Sequence, residues 1–450
     1  MAQATALIPD IVVLPDEILL QVLQLVGLKA RCWCPSPFCH FRCSHDHRAF
    51  ESKRFFPLLL VCKRFLRIAL PLLYETLVFD SSQSPGPFSP RHELCRRLDV
   101  SAWTEMWATD HPDTLLKVKT ATCLSFTPNN PVNSRPECAK LLLDVLGNNP
   151  MTQYLQISFL EVANKPELAH NILRQVCRLK HLKVLDMVDV NIPWYPDQNS
   201  VHDQTQDPTD ITSLCRLRVT DDEMGTASFR RLRVTGTPDS LGHFASLPRT
   251  LEHFIMNVDV EDVRLHLPDV RQMLLPHRAT LETLEIGVLG EHQVIEGRLD
   301  LGDFTALKQL TLATPRLNYS GFTKAFVMLG PSLETFVWDA RHSSFYSSYE
   351  DYKWTSIDDE VETWLTSLAH HAVRYAAPLR NIHIKYEPER VWITKDISPT
   401  SYPWAKLEMI QQKIVAMGLN CSYSPPKITE QEFREKIVSE MAYALRSAEQ

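Results

Sequence analysis

The sequence predicts an α+β protein in which a small N-terminal helical module precedes an irregular α/β solenoid. Two observations predict it. First, a six-residue motif with apolar residues at its first, fourth and sixth positions recurs along most of the chain, and the segments between copies often carry helical periodicity. Second, the first 80 residues carry a different pattern. They hold two strongly apolar stretches of helical spacing, separated by a cluster rich in cysteine and histidine.

Composition bounds the rest. The 450 residues are 44% hydrophobic and 22% charged, enough for a sizeable core and for two or three domains or one domain with a repeat array. A formal net charge of −7 argues against a general nucleic-acid binder, which would show a basic domain or stripe. No run of 18 apolar residues is present to span a membrane. Ile11-Val12-Val13-Leu14 is too short for a secretory signal and is flanked by Asp10 and Asp16. The expected address is therefore cytoplasmic or nuclear. There Cys62, Cys95, Cys123, Cys138, Cys177, Cys215 and Cys421 would stay reduced and behave as small core hydrophobes.

The first apolar stretch is VVLPDEILLQVLQLV. Ile18, Leu19, Val22, Leu23 and Val26 recur at helical spacing, Pro15 suits a first turn, and Asp16 and Glu17 sit where the helix dipole favours acids. The second is FFPLLLVCKRFLRIALPLLYETLVF. Leu58, Val61, Cys62, Phe65, Ile68 and Ala69 make one helical face, with Lys63, Arg64 and Arg67 largely opposite. Pro71 ends that helix, and Leu72, Leu73 and Tyr74 open a third short element. Three such helices have a marginal core of their own. Their surplus apolar surface either docks a partner or packs on the following domain, and composition leaves both open.

The order LPDEILLQVLQLV, then LLLVCKRFLRIALPLLYETLVF, resembles an F-box: a Leu-Pro and acidic turn, a Leu/Ile-rich helix, a Val-Cys-Lys-x-Phe-type second helix and a Leu-Pro-Leu-Leu-Tyr ending. About thirty residues separate the first two helices where family members have a short loop. The resemblance implies a non-catalytic protein that docks on a Skp-type adaptor of a cullin ubiquitin ligase while the rest of the chain captures a protein substrate. It would act by proximity, raising the effective concentration of a target lysine near the ubiquitin carrier. Carried over by position, the adaptor contacts are Leu14, Pro15, Ile18, Leu19, Val22, Val61, Phe65 and Leu73. Some of these must be internal core.

After the Ser/Pro-rich SSQSPGPFSP (81–90), the motif appears as LKVLDM (182–187), LCRLRV (214–219), FRRLRV (229–234), LEHFIM (251–256), LETLEI (281–286), LKQLTL (307–312), LETFVW (333–338) and LRNIHI (379–384), with TQYLQI (152–157) a degenerate early copy. Its last two apolar positions alternate as in a short half-buried strand, and the first sits at the turn entering it. CAKLLLDVL (138–146), LAHNILRQVCRL (168–179) and VRQMLLPH (270–277) carry helical patterns between copies. A strand-plus-helix unit cannot bury its strand face alone, so units stack. The pattern is similar to irregular leucine-rich repeats without the consensus asparagine ladder. The expected organisation is an F-box over 12–79 with a Cys/His-rich insertion at about 28–54, a linker over 80–112, an irregular leucine-rich-repeat domain over 113–428 and a capping helix over 429–450.

Two interruptions stand out. WYPDQNSVHDQTQDPTD (194–210) is polar and reads as a mobile insertion. RHSSFYSSYEDYKWTS (341–356) gathers Arg341, Phe345, Tyr346, Tyr349, Tyr352 and Trp354, residue types that form binding hot spots and that equally plug gaps between irregular repeats. The C-terminal helix is marked by a Thr429/Glu432 capping box, a staple from Ile428 to Phe433 and an apolar stripe of Phe433, Ile437, Met441 and Leu445. It is expected to cover the open end of the stack.

CWCPSPFCHFRCSHDH (32–47) holds four cysteines and three histidines. A structural zinc on Cys32, Cys34, Cys39 and Cys43, with His40, His45 or His47 as substitutes, is one reading, and a plain surface insertion the other. A RING-like site would need two interleaved ligand sets over a longer stretch. No GxSxG, P-loop, GxGxxG or HExxH occurs, so no enzymatic activity is expected and no cofactor beyond that zinc is implied. His370-His371 reads as a helix end and Asp358-Asp359-Glu360 as an acidic first turn. The alternatives to a ligase adaptor are a leucine-rich scaffold and a zinc-binding interaction protein, neither with a ubiquitin-ligase role.

Overall fold

The recurring motif forms parallel strands. In every described copy the strand begins at the third position, so the fourth and sixth point to one side and are buried, while the third and fifth point to the other. The computed structural model describes residues 15–21, 63–64, 67–68, 76–80, 97–102, 116–126, 136–158, 166–188, 227–236, 245–258, 265–288, 295–296, 299–313, 328–339, 357, 359–386, 402–426, 429–435 and 438. The copy at 214–219 lies outside them. The chain divides into two compact units, Met1–Pro193 and Trp194–Gln450. The division falls at the start of the polar stretch 194–210, inside the span expected to be one repeat domain.

In the first unit, β1 (Thr76–Asp80), β2 (Arg97–Ala102), β3 (Cys123–Phe126), β4 (Tyr154–Ser158) and β5 (Val184–Val188) each pair in parallel with the next. Parallel neighbours need long crossovers, and α1 (Pro136–Asn148) and α2 (Pro166–Arg178) supply two of them, packed on each other. Leu77, Leu98, Leu124, Leu155 and Leu185 share one register position across the five strands. β2 lies in the stretch expected to be a linker. The degenerate motif Cys95-Arg-Arg-Leu98-Asp-Val100 leads into it, and its cysteine in first position hides the pattern.

Asn149, fully buried, ties this unit together. Its amide nitrogen donates to the carbonyls of Val118 (3.0 Å) and Val145 (2.9 Å), and its Oδ1 accepts the backbone amide of Ala121 (3.0 Å). One side chain thus satisfies the end of α1 and the turn that enters β3, groups that would otherwise be buried without partners.

The second unit orders β6 (Arg231–Gly236), β7 (His253–Val258), β9 (Thr283–Val288), β11 (Gln309–Ala313), β12 (Thr335–Asp339), β13 (Asn381–Lys385) and β14 (Asn420–Tyr423) as parallel neighbours. A separate two-residue pair joins β8 (Leu265–His266) and β10 (Ile295–Glu296). Helices α3 (Leu267–Leu274), α4 (Asp359–Arg374) and α5 (Pro403–Ala416) fall in the connections. The motif's three apolar positions line the core: Leu281, Leu284 and Ile286 are at most 1% exposed, as are Leu307, Leu310 and Leu312.

One backbone contact repeats between strands. The carbonyl of the motif's second position accepts two amides from the next copy: Glu252 from Glu282 and Thr283, Glu282 from Lys308 and Gln309, and Lys308 from Glu334 and Thr335. Gln153 receives Lys183 and Val184 in the same way in the first unit. Polar side chains add ties of similar span. His277 donates from Nε2 to the carbonyl of Ala245 (2.8 Å), and the hydroxyls of Thr280 and Ser332 donate to Leu251 and Thr305 (3.0 and 2.7 Å).

The C-terminal end of this unit is closed by α5, β14 and the helical residues 430–435. Gly418, at φ +94°, turns the chain out of α5, a conformation that favours glycine. Gln411 of α5 donates to the Cys421 carbonyl on β14 (2.8 Å), covering part of that strand's outer edge. The capping box forms as expected: the Thr429 amide donates to Glu432 Oε2 (2.7 Å) and the Glu432 amide to Thr429 Oγ1 (3.2 Å). Phe433 is buried against Tyr402, which packs on Trp404, which meets Tyr386. Ile428, Ile437, Met441 and Leu445 lie outside the described residues. Among those described, no helix is long and apolar enough to cross a membrane.

Candidate functional site

Two regions carry surface chemistry. The first is the N-terminal helical stretch 16–21. Its Asp16 carboxylate binds the guanidinium groups of Arg64 (2.6 Å) and Arg67, 48 and 51 residues further on. Hydrogen bonding to Arg64, then the two positive charges, hold this carboxyl below its usual range. Leu19 and Ile68 are buried, whereas Pro15 and Ile18 are exposed, Ile18 by 42%. The three described residues of the expected adaptor set therefore divide: Leu19 is core, while Pro15 and Ile18 face solvent. Leu14, Val22, Val61, Phe65 and Leu73 lie outside the described residues.

The second region is the outward strand face of the second unit. The motif's third position places Arg231, His253, Thr283, Gln309, Thr335, Asn381 and Asn420 in one row, one side chain per strand. Neighbours in the row bond to each other: His253 Nδ1 with Thr283 Oγ1 (2.5 Å), Asn381 to Thr335 (3.4 Å) and Asn420 to Asn381 (3.1 Å). The fifth position adds a second row, in which His383 Nδ1 meets Ser422 Oγ at 2.9 Å. One step further along the strands, Lys385 pairs with the buried Asp339 at 3.7 Å.

The motif's second position is charged in this unit, exposed at Arg230 and Lys308 and half-buried at Glu252 and Glu282, with Arg230 bound to Glu252 (2.7 Å) and Lys308 to Glu282 (3.3 Å). Burial, then the charge of Arg231, pushes the His253 pKa down, while Glu252 and Glu282 pull it up. The face is a platform of hydroxyl, amide and imidazole groups at strand spacing, about 4.8 Å per step. Such a surface suits an extended polypeptide, whose main chain offers both donors and acceptors.

The remaining expected sites are elsewhere. Arg341, Phe345, Tyr346, Tyr349, Tyr352 and Trp354 lie outside the described residues, as do Cys32, Cys34, Cys39 and Cys43. Among the described residues no three His, Cys, Asp or Glu side chains come together as metal ligands. His370 and His371 stand in α4 near its C-terminus, His371 stacked on Tyr375 at 5.9 Å. Asp359 opens that helix and pairs with Lys406 of α5 at 2.6 Å. Cys421 is buried, which raises its thiol pKa to about 11 and keeps it protonated.

No protein-family model matches the chain, and no curated protein matches its sequence. The polar rows escaped the sequence reading, which followed the apolar positions of each motif. Aligning the copies from 251 to 384 on those positions puts His, Thr, Gln, Thr and Asn in the third column. That run of neutral hydrogen-bonding residues was the available signal.

Proposed function

We propose that this protein is a non-catalytic substrate-recognition subunit of a cullin-based ubiquitin ligase. In this reading its N-terminal helices form an F-box that docks on a Skp-type adaptor, and irregular leucine-rich repeats bind a protein substrate on their outward strand face. The observation that carries the reading is the orientation of Pro15-Asp16-Glu17-Ile18-Leu19. Asp16 is tied to Arg64 and Arg67 of the second apolar stretch and Leu19 is buried, which leaves Pro15 and Ile18 exposed for a partner. An isoleucine held 42% exposed beside an ion-paired turn is an anchor of the kind adaptor docking needs. The parallel strands, several of them joined through helices and with registered neighbours such as Arg231 and His253 22 residues apart, support the repeat assignment.

Co-precipitation with a Skp-type adaptor tests the reading. Ile18→Glu should abolish capture without lowering the melting temperature, because Ile18 is exposed. Leu14→Ala with Pro15→Ala should weaken capture. If the full chain fails to bring down the adaptor, or Ile18→Glu captures it undiminished, the ligase reading falls and a leucine-rich scaffold takes its place.

A further inference from the structure

The turns that lead into β3, β4 and β5 of the first unit share one plan. Three residues before the motif's first position, each turn buries one side chain: Val118, Asn149 and Leu179. The first positions themselves, Ala121, Thr152 and Leu182, are buried as well. Between these anchors, Lys119, Pro150 and Lys180 are exposed at one offset, and Met151 and His181 at the next. The turns stand side by side: the amide of Gln153 donates to the Thr122 carbonyl and that of Lys183 to the Gln153 carbonyl, each at 2.8 Å. Adjacent strands lie about 4.8 Å apart, so the backbones of Lys119 and Lys180 flank the Pro150-Met151 turn by about one such step on either side. Charge here is one-sided. Lys117, Lys119, Arg178, Lys180 and Lys183 are all exposed, and none has an ion-pair partner among the described residues. Residues 116–123, 147–154 and 178–184 contain no aspartate or glutamate. The one carboxylate on β3, β4 and β5, Asp186, is fully buried and accepts from the Tyr154 hydroxyl (3.4 Å). In a chain of net charge −7, five cations without a counter-charge thus stand on three neighbouring turns, around a methionine left 49% exposed.

We propose that this edge docks an acidic amphipathic helix of a partner protein. An apolar side chain of that helix rests on Met151, and its carboxylates, one turn to either side, meet the lysines of the flanking turns. Protein interfaces place apolar side chains, methionine among them, at the centre and charge at the rim, which is the order found across these three turns. The phosphates of a nucleic acid would instead run their charge across an uncharged centre. Spacing selects a helix over an extended strand. One helical turn advances about 5.4 Å, close to one step between strands, whereas side chains on one side of an extended chain repeat at about 6.7 Å. All five cations are exposed, so the attraction weakens with salt. The proposal stands apart from the ligase reading, which concerns the N-terminal helices and the second unit.

Fluorescence anisotropy with the full chain tests it, using a labelled alanine-rich helical peptide that carries one leucine and glutamates three and four residues to either side of it. That peptide should bind about ten-fold tighter than its Gln-for-Glu counterpart at low salt, and the gap should narrow as salt rises. A peptide of the same composition with the leucine and glutamates out of that order should bind about three-fold weaker. Lys119→Gln with Lys180→Gln should cut the preference for glutamate to about two-fold. Met151→Gln should remove the advantage of the ordered peptide over the reordered one. Arg249→Gln with Arg380→Gln, two exposed cations of the second unit, removes the same charge and should leave both differences unchanged. Equal binding of the Glu and Gln peptides, an undiminished Lys119→Gln/Lys180→Gln variant, or an equal loss from the Arg249→Gln/Arg380→Gln variant overturns the proposal. Equal binding of the ordered and reordered peptides overturns it too, since the edge would then attract negative charge of any kind. So does tighter binding of phosphatidylserine vesicles or of a single-stranded RNA than of the peptide, lost in the same lysine variant.

Discussion

Replacing Asn149 with alanine should destabilise the first unit by about 3 kcal/mol. The side chain is fully buried and makes three hydrogen bonds, to the carbonyls of Val118 and Val145 and from the amide of Ala121. Alanine leaves all three backbone groups buried without partners, and each such group costs about 1–3 kcal/mol. Entry of a water into the vacated space would hold the total near the lower bound of that sum. Asn149→Asp is the more discriminating change. It keeps an acceptor for Ala121 but sets an anionic oxygen against two carbonyls, so it should cost at least as much as alanine. Hydrogen exchange with mass spectrometry provides the assay. A 3 kcal/mol loss accelerates exchange about a hundred-fold in peptides covering 116–126 and 136–158, while peptides covering 381–385 keep their protection. An Asn149→Ala protein within about 0.5 kcal/mol of wild type, or a well-tolerated Asn149→Asp, would refute the assignment of Asn149 as the tie.

Other perturbations are read on the second unit. His277 is buried with Nδ1 unpartnered, and burial lowers its pKa from the ordinary 6.5. The unfolded chain therefore takes up the proton first, and stability, full above that pH, falls as pH drops through about 6.5. His277→Gln, which can still donate to Ala245, should flatten that slope in urea titrations at several pH values. Ala376, at φ +49° after α4, occupies a conformation that disfavours a side chain, so Ala376→Gly should raise stability by about 1 kcal/mol in the same assay. Phe433→Ala should cost about 3 kcal/mol by emptying the pocket beside Tyr402, and unchanged melting would show that residues 430–435 do not cap the unit.

Most of the strand placement was legible because burial obeys a simple rule. Wherever Leu, Phe, Ile or Met filled the motif's fourth and sixth positions, a parallel strand followed, and the helical patterns at 138–146, 168–179 and 270–277 marked α1, α2 and the α3 segment. β1, β2, β3 and β14 escaped because Tyr74, Cys95, Ala121 and Gly418 stand where leucine was sought. Asn149 and His277 were missed for another reason. A buried polar residue is identified by the backbone groups it reaches, here 28 to 32 residues away, and local periodicity carries no trace of them. The expected adaptor contacts could not be divided into core and surface from spacing, since Ile18 and Leu19 are equally apolar. The ion pairs from Asp16 to Arg64 and Arg67 fix which of them turns inward.

A similar division between core and surface holds in the second unit. Core positions in the second unit leave little room for change, since one lost methylene in a packed interior costs about 1 kcal/mol. The outward third-position row faces less restraint: Arg231, His253, Thr283, Gln309, Thr335 and Asn381 put five kinds of side chain on one unchanging backbone ladder. The ladder comes from carbonyls at the motif's second position, which hold the spacing whatever side chain stands there. Side chains can therefore be exchanged at the third position without disturbing the stack, whereas Thr311 and Val337 at the fifth are buried. Reversing the charge at Arg231 should accordingly leave the unit's melting temperature within about a degree or two, the range expected of an exposed substitution. A large drop in melting temperature for Arg231→Glu would mean that the outward rows hold the stack together, and the separation of scaffold from binding surface would not stand.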